Sequence, residues 1–215
     1  MRFPSLLELL YPSRCVLCYE LTQKRAKVCE SCASELTELK KTDKHIPFSR
    51  KTYALWHYDG KVRNSLLRFK FSNKRHYAHF YGQALSSRLL REDVPVDIIT
   101  WVPVSRKRRF KRGYDQVQLI ARVLEKYTGI PHRRCLRKIK DNPPQSSIVG
   151  EAQRRANVMG VYRAVRTARF QGKRVLLLED IITTGATISE CTKTLLIAGA
   201  GEVYCAAVAA AKNTK

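Results

Sequence analysis

The amino-acid sequence predicts an α/β domain built on a doubly wound parallel sheet and preceded by a small cysteine-rich module. Two patterns carry that expectation. Four cysteines fall in matched pairs before residue 33, and from Thr52 onward apolar runs of strand length alternate with amphipathic runs of helical period. With 215 residues, 44% of them hydrophobic, the chain has material for one sizeable core and a small appendage.

The cysteine module comes first. Cys15, Cys18, Cys29 and Cys32 read C-x2-C-x10-C-x2-C. Two residues between paired thiols let both sulfurs of a tight turn face one ion, and two such knuckles complete a closed, structural tetrahedral zinc site. A redox pair or disulfides compete with this reading, but matched pairs in a chain that reads as cytosolic favour metal. A segment this short buries too little apolar surface to fold alone, so the metal would supply most of its folding free energy, on the order of 10 kcal/mol. Cys135, Cys191 and Cys205 stand singly among apolar residues and read as buried small hydrophobes. The zinc-binding module is assigned to residues 1–50, with a polar helix from Glu35 running into a linker that Pro47 closes.

The main domain is assigned to residues 51–215. Thr52–Tyr58 (TYALWHY) is a strand, Asp59-Gly60 a turn, and 61–71 and 76–91 are amphipathic helices. Asp97–Val104 (DIITWVPV) is a buried strand, Tyr114–Tyr127 a helix, and Arg133–Ile139 a short strand. Val175–Asp180 (VLLLED) is a buried strand, Gly185–Ala198 a helix and Val203–Ala210 the last strand. Strands alternating with helices imply crossover connections and a parallel sheet covered on both faces.

Lys and Arg number 41 against 18 Asp and Glu, a formal net charge of +23, and the last 41 residues carry −1, so the whole excess lies before Val175. A field of that size attracts polyanions, of which nucleic acid is the commonest; a solvated surface that merely aids solubility is the competing reading. No run free of Asp, Glu, Lys and Arg exceeds twelve residues, whereas a membrane span needs about 20 apolar ones. A cytoplasmic protein without membrane insertion is expected.

In a doubly wound sheet, ligands sit beyond the carboxyl ends of the strands. The segment Val175-Leu-Leu-Leu-Glu179-Asp180-Ile-Ile-Thr183-Thr184-Gly185-Ala186-Thr187 places two acids at such an end, then a Thr/Gly turn opening a helix. Helix-terminal amides beside an unhindered glycine and three hydroxyls suit one phosphate monoester, and adjacent carboxylates can accept from vicinal hydroxyls. The spacing suits a ribose 5-phosphate. An ordinary strand-turn-helix with a threonine cap is the plainer alternative.

The same segment resembles the phosphoribosyl pyrophosphate (PRPP) motif of type I phosphoribosyltransferases, and it lacks the further glycines and lysine of a Walker A loop. With the four cysteines, VPVSRKRRFKRGYDQ at 102–116 and QSSIVGEAQRRANVMGVY at 145–162, nearly the whole chain resembles the ComF family of bacterial natural competence and its GntX-type relatives. The resemblance implies a type I phosphoribosyltransferase-like fold behind a double zinc ribbon-like module. By resemblance, Glu179 and Asp180 would hold the ribose hydroxyls and Thr183, Thr184, Gly185, Ala186 and Thr187 the 5-phosphate. Val104, Ser105, Arg106 and Lys107 would form the pyrophosphate loop, with Mg²⁺ held mostly by PRPP's own oxygens. It also implies the DNA-dependent ATPase ComFA as a partner. No base-recognition hood is legible, so no acceptor and no catalytic residue is assigned.

The loop Ser105–Arg112 (SRKRRFKR) carries six basic residues in eight, more than one pyrophosphate requires. Arg106, Lys107, Arg108, Arg109, Phe110, Lys111 and Arg112 combine cations with an aromatic face on which an unstacked base of single-stranded DNA could rest. Lys70, Lys74 and Arg75 lie in a similar mixture; for Phe69 and Phe71 an amphipathic helix with buried aromatics explains the pattern equally well. Asp141-Asn142-Pro143-Pro144 reads as a loop over the ligand. Gln145, Arg154, Arg155 and Asn157 suit packing or ligand contact alike. DNA handling in competence is the favoured function, ahead of phosphoribosyl transfer to an unidentified acceptor and of a non-catalytic adaptor docking ComFA.

Overall fold

The computed structural model describes residues 12–22, 26–40, 42, 44–143, 148 and 150–212. Four parallel strands form the central sheet: β1 (Thr52–His57), β2 (Ile98–Trp101), β5 (Arg174–Ile182) and β6 (Glu202–Ala210), in the order β1-β6-β5-β2. Helices α2 (Gly60–Phe71), α3 (Tyr77–Arg91) and α5 (Gln116–Thr128) cover one face. The other is covered by α7 (Ala186–Ile197), α6 (Glu151–Val158) and a separate antiparallel pair, β3 (Leu136–Lys138) with β4 (Tyr162–Ala164).

Strand alternation explains why both faces are apolar. Leu176 and Leu178 enter one core with Phe69, Tyr81 and Ile120, while Val175 and Leu177 enter the other with Ile188, Cys191 and Leu195. Two consequences follow for the site. Asp180 continues the row of Leu176 and Leu178 toward α2 and α5, and Glu179 continues the row of Leu177 toward α7. At the opposite end, Arg174 donates to both oxygens of Asp97 at 3.1 and 2.6 Å, tying β5 to the start of β2.

The expected strands and the helices over 61–71, 76–91, Tyr114–Tyr127 and Gly185–Ala198 are present within a few residues. Three expectations need correction. The helix expected from Glu35 lies earlier, as α1 (Glu30–Glu35), and 36–40 continues as an extended strap: Leu39 N–H donates to Leu55 C=O at 2.7 Å, and Arg50 N–H to Val203 C=O at 2.8 Å. The strap is held by pairing with the sheet, a long-range gain that local periodicity does not register. Ser105–Arg112 is no loop. Ser105 accepts from Arg108 N–H and caps α4 (Arg106–Arg112), and Gly113, at φ 75°, ends it. Arg and Lys are good helix formers, so capping and propensity agree. Finally, β3 leaves the main sheet after one bridge from His132 to Ile99 and pairs with β4, which, like α6, is too short to stand out in the sequence.

Cys135, Cys191 and Cys205 are buried, as expected. The zinc module packs into the α2/α3 core: Cys15, Val16 and Leu17 of its first knuckle and Cys32 of its second are buried with Leu66, Phe69 and Tyr81. Ser65 donates its hydroxyl to Val16 C=O, and Arg68 donates to the carbonyls of Val16 and Leu17. No helix among the described residues is long and apolar enough to cross a membrane.

Candidate functional site

A cleft of about 910 Å³ opens beyond the carboxyl ends of β2 and β5. One wall is the β5–α7 turn, with Glu179, Asp180 and Thr183–Thr187; the other is the α4 region with Val104, Arg108, Lys111 and Arg112. Gly185 holds the turn at φ 80°, and a Cβ there would stand 2.5 Å from Ile46 Cδ1. Left-handed backbone and the lack of room both demand glycine. The buried Ile46 lies on the stretch between the four cysteines and β1, so that stretch supports the turn from behind.

A polar chain crosses the cleft floor. Lys70 Nζ lies 3.1 Å from Asp180 Oδ2, and Gln116 donates Nε2–H to the same oxygen at 2.9 Å. Arg112 donates to Gln116 Oε1 at 3.1 Å, and its guanidinium lies 4.9 Å from the centre of the Phe71 ring. Asp115, capping α5, is turned inward: it accepts from Trp101 Nε1–H and from the N–H groups of Val117 and Gln118. Glu179 faces the other side. Burial first, and then the charge of Asp180, push its carboxyl up to about 8, with Lys70 pulling the other way. Lys138 also lines the cleft, 5.8 Å from the Tyr162 ring centre; burial first, then Arg108, lower its ammonium to about 8.

The predicted residues separate into three groups. Glu179, Asp180, Thr183–Thr187, Val104, Lys70, Arg75, Arg108, Phe110, Lys111 and Arg112 line the cleft. Ser105, Arg106, Lys107 and Arg109 do not: Ser105 is a buried cap, and Arg106 and Arg109 point to the far side of α4, into a second cavity. Lys74 turns to the zinc knuckle, donating to the Tyr19 hydroxyl at 2.8 Å, while Arg14, Arg68 and Lys74 surround the Tyr19 ring. Phe69 is buried, whereas Phe71 and Phe110 are 67% and 92% exposed at the cleft rim. Pro144 and Gln145 lie outside the described residues. Asn157 donates to Pro143 C=O and accepts from Asn142, so it holds the 142–143 loop, and Arg154 donates to Ile148 C=O and lines the cleft.

The four cysteine sulfurs all lie within 4.8 Å of one another, with Cys18 and Cys29 at 3.7 Å. A tetrahedral ion with Zn–S bonds of 2.3 Å sets its sulfurs about 3.8 Å apart. Cys15 Sγ accepts backbone N–H groups from Cys18 and Cys29, which favours a thiolate there. The donor set fits zinc.

Comparison with known proteins agrees with this arrangement. A double zinc ribbon domain matches residues 6–42 and a phosphoribosyl transferase domain residues 111–215. Competence protein F of Haemophilus influenzae is 29% identical over 187 residues, covering 81% of each chain. The DNA utilization protein YhgH of Escherichia coli K12 is 23% identical, covering 89% of this chain and 88% of its own. The chain resembles the ComF family in both its zinc module and its phosphoribosyl transferase domain. A solved glutamine PRPP amidotransferase from B. subtilis is similar at 28% identity, with a TM-score of 0.41 over 60% of this chain and 26% of that one.

Sequence reasoning missed two members of this cleft, Gln116 and Tyr162. Gln116 ends the GYDQ stretch, and the Asp-Gln start of a helix was the available signal. Lys138 and Tyr162 meet only because β3 and β4 pair, which no local pattern announces. Lys70 was noticed for its charge, but its partner Asp180 is 110 residues away.

Proposed function

We propose that this protein handles single-stranded DNA during natural competence, gripping the strand along a cleft whose other wall is a PRPP-type pocket. The names of two relatives, one a competence protein and the other a DNA utilization protein, support the competence role. One observation carries the reading further: the Thr183–Thr187 turn and the cations of α4 face each other across one cleft, with the exposed Phe71 and Phe110 on its rim. Cations track the phosphodiester backbone, and exposed rings take unstacked bases without reading sequence. PRPP would occupy the same cleft, its 5-phosphate on the Thr183–Thr187 turn and its ribose hydroxyls on Glu179 and Asp180. The cleft supplies two adjacent carboxylates, too few to cage Mg²⁺, which suits an ion that arrives on its pyrophosphate. ComFA stays an expectation of the resemblance.

The test is a fluorescent oligo(dT) titration at several salt concentrations, with and without PRPP and Mg²⁺. Several phosphate contacts give log K falling steeply with log salt, and PRPP weakens binding by competition. A flat salt dependence sinks the reading. The triple change Arg108→Ala, Lys111→Ala, Arg112→Ala reduces the slope by about 2, at about 0.7 for each contact to a single strand.

A second reading, transfer of phosphoribose, is favoured by the full set of Glu179, Asp180 and three threonines in the cleft. In it, cleft cations stabilise pyrophosphate as it departs from a ribose gaining positive charge. Release of pyrophosphate from PRPP with some member of a panel of bases decides for it, and silence across the panel decides against it.

A further inference from the structure

Helix α4 has two cationic faces. Arg108, Lys111 and Arg112 line the sugar-phosphate cleft, while Arg106 and Arg109, one turn apart, line a second cavity of about 140 Å³ on the opposite flank. Arg134 and Arg137, from the segment entering and forming β3, complete that cavity, whose wall is Trp101, Pro103 and Asp115. Four guanidinium groups thus meet around one small space, with a single carboxylate beside them.

That carboxylate is already committed. Asp115 is buried and spends its oxygens on Trp101 Nε1–H and two backbone N–H groups, and among the described residues it forms no ion pair. Among the described residues Arg106, Arg109 and Arg137 make no ion pair either, and Arg134 donates only to Leu136 C=O, at 3.3 Å. Burial first, and then the charges of Arg137 and Arg109, disfavour the charged form of Arg134, which places these guanidiniums within mutual electrostatic reach. Four converging cations with only one carboxylate among them repel, and an oxyanion at their centre removes the repulsion that Asp115 leaves. Planar forked donors match phosphate oxygens. The space is smaller than the 300 Å³ or so where whole small-molecule sites begin, and so fits a phosphate group rather than a nucleoside.

We propose that Arg106, Arg109, Arg134 and Arg137 form a second phosphate site, separate from the sugar-phosphate cleft, that holds one phosphate of single-stranded nucleic acid. The inference rests on the single-strand reading and adds that the strand is gripped on both flanks of α4. The phosphate is an internal diester or a terminal 5′ monoester; the chemistry is shared.

The experiment is an oligo(dT) titration at four salt concentrations, using 5′-hydroxyl and 5′-phosphate oligomers. The Arg106→Gln, Arg137→Gln protein is compared with wild type and with Lys126→Gln, Lys173→Gln, which removes the same charge elsewhere on the exposed surface. Arg109→Glu, one charge-reversing change, guards against a fold defect, with zinc content and melting temperature checked for every variant. Expected is about a tenfold loss at low salt and a slope smaller by about 0.7 in the arginine variants, absent from the lysine control. Loss with both oligomers identifies the internal diester, and loss confined to the phosphorylated one the terminal monoester. Arginine variants indistinguishable from the lysine control, while wild type binds, overturn the second site alone. Wild type that binds neither oligomer overturns the single-strand reading and the second site with it.

Discussion

Lys70 Nζ stands 3.1 Å from Asp180 Oδ2, and both side chains are largely buried. The cleft therefore neutralises one of its two acids with a cation from α2, a helix that otherwise serves the core and the zinc knuckle. Breaking one partner of a buried pair strands the other charge, so Lys70→Met should destabilise the fold by about 3 kcal/mol. Adding Asp180→Asn should restore part of it. Urea unfolding of the two single variants and the double measures the coupling, and strictly additive effects would count against the pair.

Glu179 makes stability depend on pH. Its carboxyl, pushed up to about 8 from 4.5, holds a proton in the folded state that the unfolded chain releases. The stabilisation is complete below about pH 4.5 and is lost as pH rises to about 8. Glu179→Gln should thus match wild type at pH 4.5 and exceed it at pH 9 by on the order of 2 kcal/mol, after allowance for partial exposure. Melting temperatures across that range check the sign.

Lys138 loses its charge over the same range in which Glu179 gains one. With its ammonium lowered to about 8, it is charged at pH 7 and mostly neutral at pH 9. Affinity of the cleft for pyrophosphate should fall severalfold between those values by calorimetry. Lys138→Met should bind weakly at pH 7 and keep only the part of the pH dependence that comes from Glu179 ionising in the same cleft, and adding Glu179→Gln should remove that part too.

Gly185 has no tolerated replacement with its present neighbour. Gly185→Val brings a branched side chain to φ 80° and against Ile46, which should cost about 2–4 kcal/mol. Ile46→Ala should recover the steric part but leave the backbone part, so the double variant falls between. Recovery to full wild-type stability would show that φ is immaterial.

Zinc should be present at one ion per chain by elemental analysis of untagged protein. Cys32→Ser should release it. Because Cys15, Val16, Leu17 and Cys32 are buried with Leu66, Phe69 and Tyr81, the loss should lower the single main melting transition rather than add an early one. Differential scanning calorimetry distinguishes the two.

What was legible depended on range. The zinc spacing, the paired acids and the Thr/Gly turn are local, and their residues read directly from Cys15–Cys32 and Glu179–Thr187. Strands β5 and β6 are continuous apolar runs because both faces are covered, so they too stood out. Helix α4 was obscured by its charge: six cations drew attention away from Ser105 and Gly113, which mark its ends. Neither its division into two faces nor the Lys70–Asp180 and Lys138–Tyr162 meetings could be read from spacing, since each needs the tertiary fold to bring distant segments together.

The burial of Val16 and Leu17 against Phe69 and Tyr81 has a practical outcome for anyone trimming this chain. Expression of 51–215 alone would uncover an oily hollow under α2 and α3 and leave Ser65 and Arg68 without the carbonyls they now serve. Such a fragment would be expected to clump, so the amino-terminal knuckle behaves less like a detachable tag than like a lid on the barrel of hydrocarbon beneath it.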